Sequence, residues 1–271
     1  MRSTAARVRG PGLQHRACRH HQIQIIRIFT SHRDTMSAMP SDESSHPSVL
    51  VFDVNETLLD LAALGPDIEG AFADRRAIGE WFARLLHGSL VATVIDHYES
   101  FSAIGAAALD DMAVARSVDL DVEARDRIVD GIRRLPPHPE ADGALERLRE
   151  SGFRVAALTN SPHRIALEQL MNAGLSERFD AVLSVEVVRR FKPHADCYLA
   201  AASSLGVPIE RIRLVAAHDW DVAGAIAAGA RGAFVARPGA TYRSWLPRPD
   251  IEAPDLEAMA HRIIAAERPQ P

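Results

Sequence analysis

Five short apolar runs, the first ending at a carboxylate, constrain this chain more than any other feature. They are Ser48-Val-Leu-Val-Phe-Asp53, Phe153-Arg-Val-Ala-Ala-Leu158, Ala181-Val-Leu-Ser-Val185, Ile212-Arg-Leu-Val-Ala216 and Gly232-Ala-Phe-Val-Ala236. A run of four to six apolar residues without alternation is the pattern of a strand buried on both faces. Amphipathic stretches follow the later runs, at 164–173 after Ser161-Pro162, 194–205 after Lys192-Pro193, and 221–228 ending at Gly229. In the first of these the serine is placed to cap and the proline suits the first helical position. Strands alternating with helices in units of about 25 to 30 residues predict βαβ crossovers and an α/β fold on a parallel sheet. Function on such sheets gathers at the carboxyl ends of the strands.

The first crossover is too long for this scheme. Roughly 95 residues separate the first two strands, far more than a simple connection needs. Most of them read as helix. The stretch 76–95 places Ile78, Trp81, Phe82, Leu85 and Leu86 on one face, 102–116 is alanine-rich, and 122–135 is amphipathic before Leu135-Pro-Pro-His-Pro139 closes the segment. The expected layout is therefore a catalytic core over 48–63 and 136–271, with a helical cap over 64–135 inserted just beyond the first strand.

Residues 1–47 stand apart. The first 33 carry seven arginines and no acidic residue, and the stretch up to Ser48 is rich in Ser, Pro, Asp and Glu. The expectation is an unpacked or non-native extension. Translation starting at Met36 or Met39 is favoured over an organellar targeting segment. The remaining composition excludes several classes. A formal charge of −5 provides no basic footprint for nucleic acid. No run of 18 apolar residues exists, so no membrane span is expected. Cys18 and Cys197 are the only cysteines. Two so far apart point to a reducing compartment, the cytoplasm, and no disulfide framework.

Four strand ends carry chemistry-bearing residues. Asp53 ends the first run, with Asn55, Glu56 and Thr57 after it. Thr159, Asn160 and Ser161 follow the second, and Lys192-Pro193 lies in an extended loop after the third. His218, Asp219, Trp220 and Asp221 follow the fourth. Each motif alone has a bland reading: a turn-capping Asp, a helix-capping Ser, a solvated Lys, or an Asp (219 or 221) capping the next helix. In this order on a parallel sheet, they would gather a nucleophilic carboxylate, hydroxyl and amide donors, a cation and a second carboxylate at one rim.

These residues resemble the haloacid dehalogenase superfamily, and within it the type II (L-2-)haloacid dehalogenases. The likeness rests on Phe52-Asp53, Thr57-Leu58, Leu158-Thr-Asn160, Lys192-Pro193 and Trp220-Asp221 and extends over about 48–266. It implies a Rossmann-like core, a helical cap, an aspartate nucleophile and hydrolysis of short 2-haloalkanoic acids through an aspartyl ester. On that model Asp53 attacks, Lys192 keeps it ionised, and Asp221 orients Lys192 and helps activate water. Thr57 and Thr159 steady Asp53 and the substrate carboxylate, Asn160 donates toward substrate or halide, and Trp220 walls the pocket. The related phosphatases carry a second Asp where this chain has Asn55, as the acid for an alkoxide leaving group. General acid catalysis contributes about 10²–10⁴ in rate, whereas a halide leaves without a proton. They also hold Mg²⁺ with a carboxylate at the position of Ala217. No metal or other cofactor is expected, unless Asp219 supplies the missing ligand. Departures from the family are Phe82 in place of a cap arginine, Asn55 for an aromatic residue, Glu56 for glycine, and Ala216 and His218 for Ser and Asn. His218 then becomes the halide donor or the water base, while Glu56 is expected to point elsewhere. The competing readings are a Mg²⁺-dependent phosphatase and a non-catalytic binding protein on this scaffold. Exposed apolar cap residues would suit a homodimer, by analogy.

Overall fold

The computed structural model describes residues 49–267, so the expectations for residues 1–47 lie outside it. The strands are β1 (Val49–Phe52), β2 (Arg154–Thr159), β3 (Ala181–Ser184), β4 (Ile212–Ala216), β5 (Arg231–Val235) and β6 (Ile251–Ala253). They form one parallel sheet in the order β3-β2-β1-β4-β5-β6. All five expected strands are present. The sixth is an edge strand of three residues whose middle residue, Glu252, is exposed, too short and too polar to register as an apolar run.

The sheet order decides where chemistry collects. β1 is central, with Phe52 level with Ala157 of β2 on one side and Val215 of β4 on the other. The residues that follow these three strands therefore leave the sheet side by side, although β1 lies more than 100 residues from either neighbour in sequence.

Between β1 and β2 come α1 (Gly65–Phe72), α2 (Ala77–Val94), α3 (Phe101–Arg116) and α4 (Val122–Gly131), bracketed by short 3₁₀ turns at Leu61–Leu64 and Ile132–Arg134. Trp81 of α2 has no solvent exposure and donates its indole N–H to the Gly105 carbonyl of α3 at 2.9 Å. It packs with Leu85, Leu109 and Met112 in the core. Arg116 closes the far side by pairing with Glu80 and Asp74. The expected apolar face of α2 is thus divided in function. Trp81 and Leu85 hold the insertion together, while Phe82 turns toward the sheet.

The insertion is fastened to the rim of the sheet beside Lys192. Thr93 accepts the Phe191 amide at 2.9 Å, and the Phe191 ring stacks on Tyr98 and packs against Phe101. α5 (Ala141–Glu150) leads into β2, and α6 (His163–Asn172), α7 (Ala195–Leu205), α8 (Asp219–Ala227) and α9 (Leu256–Glu267) follow it, covering the sheet. Gly224 lets α8 approach the Lys192-Pro193 loop closely. A Cβ there would sit 2.8 Å from the Pro193 carbonyl oxygen.

Two local expectations are corrected. Ser161 does not cap α6. Pro162 occupies the cap position without a side-chain bond, the first amide donates to Glu186 instead, and the Ser161 carbonyl accepts from Ser184. Neither Asp219 nor Asp221 caps α8, which starts after an extended His218. Both carboxylates are held by stronger cationic partners elsewhere. Among the described residues no helix is long and apolar enough to cross a membrane.

Candidate active site

β1 delivers Asp53 to the rim by continuing the ladder one residue, its amide bonded to the Val215 carbonyl at 3.0 Å. The carboxylate is 5% exposed. Oδ1 accepts from Lys192 Nζ at 2.7 Å, and Oδ2 accepts the Thr57 hydroxyl at 2.8 Å and lies 3.1 Å from His218 Nδ1. Thr57 in turn accepts the Ala217 amide at 2.9 Å. One hydroxyl therefore ties the β1 loop to the β4 loop.

Lys192 spends its three ammonium protons on Asp53, on Asp221 Oδ2 at 2.6 Å and on the Leu158 carbonyl at 3.0 Å. Asp221 has no exposure, and its other oxygen accepts the Tyr198 hydroxyl at 2.6 Å. The order Asp53–Lys192–Asp221–Tyr198 is a closed row in which every buried charge has a partner, the condition for charges to persist in a low-dielectric interior. Burial alone would raise the Asp53 carboxyl, but the Lys192 ammonium and then His218 more than reverse this, and the group lies well below the usual range. Burial pulls Lys192 down, whereas Asp221 and Asp53 push it further up, so it stays charged. Burial holds Asp221 above the ordinary range even with Lys192 beside it. The Tyr198 phenol is held far above its usual value by burial and the Asp221 charge, and it remains a neutral donor.

His218 stands at the mouth of the site with a side chain 13% exposed. Its Nε2 meets Glu56 Oε2 at 2.8 Å while Nδ1 faces Asp53. Burial disfavours the imidazolium, yet hydrogen bonds to Asp53 and Glu56 outweigh it and raise the pKa to about 10. The ring is layered between Trp220, with centroids 4.9 Å apart, and Phe82, at 5.9 Å. Both aromatic residues thus flank His218 at the rim. A cation between two aromatic faces is favoured electrostatically.

The expected residues do not all face the same way. Thr159 is buried and accepts the Ser161 amide, holding its own turn. Asn160 Oδ1 accepts the Lys192 amide at 3.1 Å, which leaves its N–H groups without a protein acceptor among the described residues. Asn55 turns away. Its carbonyl accepts from Gln169 at 2.8 Å and its amide comes within 3.5 Å of the Ser161 hydroxyl. Asp219 gives one carboxylate oxygen to Arg243 Nε at 2.5 Å and the other to Nη2 at 2.8 Å. With Asp219 so engaged and Ala217 in place of a carboxylate, the residues present do not fit a Mg²⁺ site.

Two participants escaped the sequence reading. Glu56 was expected to point elsewhere. Its backbone adopts φ 60°, steadied by His138 on its carbonyl, and this turns the carboxylate to His218. Tyr198 lies on α7, six residues past Lys192. No pattern in the chain reveals that one helical turn returns it to Asp221.

Comparison with known proteins agrees with this geometry. A model of haloacid dehalogenase-like hydrolases matches residues 47–229. An (S)-2-haloacid dehalogenase of Xanthobacter autotrophicus is 31% identical over 193 residues, 69% of this chain and 74% of that protein. Haloacetate dehalogenase H-2 of Moraxella sp. (strain B) is 28% identical over 216 residues, 79% of this chain and 96% of that one. The solved L-2-haloacid dehalogenase of X. autotrophicus with covalently bound chloropropionic acid superposes with a TM-score of 0.75 at 25% identity, covering 80% of this chain and 98% of its own. A phosphatase of Thermococcus onnurineus shares the fold at a TM-score of 0.54. The chain belongs to the haloacid dehalogenase-like hydrolases and, within them, groups with the type II haloacid dehalogenases.

Proposed function

We propose that the protein hydrolyses short 2-haloalkanoic acids to 2-hydroxyacids, with Asp53 as nucleophile and 64–135 as a cap over the site. The observation that carries this reading is the Asp53 carboxylate, nearly buried and kept ionised by Lys192 at 2.7 Å. In the first step an Asp53 oxygen bonds to C2, and the carbon–halogen bond breaks with its electron pair leaving as halide. Thr57 and Lys192 fix the carboxylate in place. Asn160 N–H groups serve the substrate carboxylate or the departing halide, alongside Thr159 in the same turn. Trp220 and Phe82 wall the mouth.

The second step adds water to the Asp53 carbonyl carbon, expels the 2-hydroxyacid and returns the carboxylate. We assign the water base to His218 and its orientation to Glu56. Esterification neutralises Asp53 and so removes one of the two anions that keep His218 protonated. Its proton can pass through Glu56, whose side chain is 39% exposed, to solvent, and the neutral ring then takes the proton of water. Overall one water is consumed, and one halide and one proton are released. Asp221, fully buried and bonded by both Lys192 and Tyr198, acts through Lys192.

The phosphatase alternative lacks its parts. Asn55 offers no acid proton and its side-chain carbonyl accepts from Gln169, while Asp219 is engaged with Arg243. The reaction is placed in the cytoplasm on the cysteine usage of the chain, and a homodimer remains the assembly suggested by exposed Val94 and Ile95 on the insertion. The test is halide release from 2-chloropropionate with and without EDTA, followed by single-turnover hydrolysis in H₂¹⁸O. Label should enter Asp53, and Asp53→Asn should lose all turnover. EDTA-sensitive phosphate release without halide release would overturn the assignment.

A further inference from the structure

Beside the site lies a cavity of about 420 Å³, within the size range of small-molecule pockets. It shares two side chains with the site, Lys192 and Trp220. Beyond them it runs between α2, which contributes Leu86 and Leu90, and α8, which contributes Ala227. Its outer wall is the segment 243–247 with Trp245 and Leu246.

The chemistry of this space is restricted. Its two cationic side chains are both engaged, because Lys192 holds Asp53 and Asp221 and Arg243 holds Asp219. The rest of the lining is apolar. The Lys192 ammonium has spent its protons, and the Arg243 guanidinium is neutralised by Asp219 at the outer edge, so the inner wall offers a hydrocarbon more than it offers an anion or a sugar. The outer wall is also built rather than loose. Arg243 donates its guanidinium and its backbone amide to Asp219 at the start of α8, and the guanidinium lies 5.6 Å from the Trp245 ring. The indole is 73% exposed, an apolar surface that a bound chain would cover.

Resting on the dehalogenase reading, we propose that this cavity binds the hydrocarbon substituent on C2 of the substrate, with Leu90, Ala227 and Trp245 setting the accepted chain length. Halide leaves from carbon held at Asp53, the carboxylate stays by Asn160, and the alkyl chain passes Trp220 into the cavity. The protein is then an enzyme for 2-haloacids longer than propionate.

The experiment compares kcat/KM for halide release from 2-bromopropionate and 2-bromohexanoate. Each methylene taken from water is worth about fourfold, so three favour the longer acid by up to about sixtyfold. Ala227→Leu and Leu90→Trp, both at exposed helical positions, should cut the hexanoate-to-propionate ratio at least tenfold by filling the space. A wild-type ratio of one or less, or equal losses on both acids, overturns the subsite and leaves the reaction standing. Titration with unreactive hexanoate, followed by Trp245 fluorescence with Trp245→Phe as control, reads the subsite without turnover. Hexanoate binding that is tighter than propionate binding, with no halide released from any acid, upholds the subsite and overturns the reaction. Binding that does not strengthen with chain length overturns the subsite.

Discussion

His218 is the residue on which the second half-reaction turns, and its charge can be read through stability. An imidazole in the unfolded chain titrates near 6.5, whereas here Asp53 and Glu56 hold it at about 10. Between those values the folded protein binds one more proton than the unfolded chain. Unfolding free energy therefore falls as pH rises through that window, by about 1.4 kcal/mol per pH unit. The stabilisation is complete below pH 6.5 and lost above 10. From pH 7 to pH 9 the loss comes to about 2.5 kcal/mol. His218→Gln keeps a polar side chain but no titration in this range, so its stability should change less than wild type by that amount. Urea unfolding of both proteins at pH 7, 8 and 9 measures the difference, and titration of His218 by NMR gives its midpoint directly. Asp53→Asn is the neutral analogue of the ester. It should move the midpoint down and remove part of the slope, which is the event the water-activation step requires. Parallel loss of stability in wild type and His218→Gln, or a midpoint near 6.5, would refute the imidazolium and with it the proton release on esterification.

Three further outcomes are expected. Thr57→Val removes a hydrogen bond to Asp53 and strands the buried Ala217 amide; unfolding free energy should drop by about 1–3 kcal/mol and single-turnover ester formation should slow. Tyr198→Phe leaves a fully buried Asp221 oxygen without its donor, at a similar cost of about 1–3 kcal/mol, and kcat should fall more than KM changes because Lys192 loses its fixed partner. Halide release should be unaffected by EDTA and gain nothing from added Mg²⁺, a result read by ion chromatography; metal-dependent activity would return Asp219 to consideration as a ligand.

Much of the scaffold was legible because burial on both faces leaves a run of apolar residues with no alternation. The apolar runs marked β1 to β5, and parallel pairing then obliged their carboxyl ends to share a rim. Asp53, Lys192 and Asp221 could be put together on that ground before any coordinates. The edge strand β6 was not legible, since three residues alternating in exposure carry almost no signal.

What the chain alone could not decide was direction and partner. Asn55 and Glu56 are adjacent, and nothing in their identities indicates that the first turns to Gln169 while the second, on a left-handed backbone, turns to His218 162 residues away. Phe82 was visible as a substituted position, but its stacking on His218 depends on how α2 crosses the rim. The outer wall of the cavity, 243–247, is tied to α8 by the pairing of Arg243 with Asp219. Periodicity and strand-end chemistry are local properties written along the backbone. The pairing of buried charges and the shape of empty space are set by which elements the fold brings into contact.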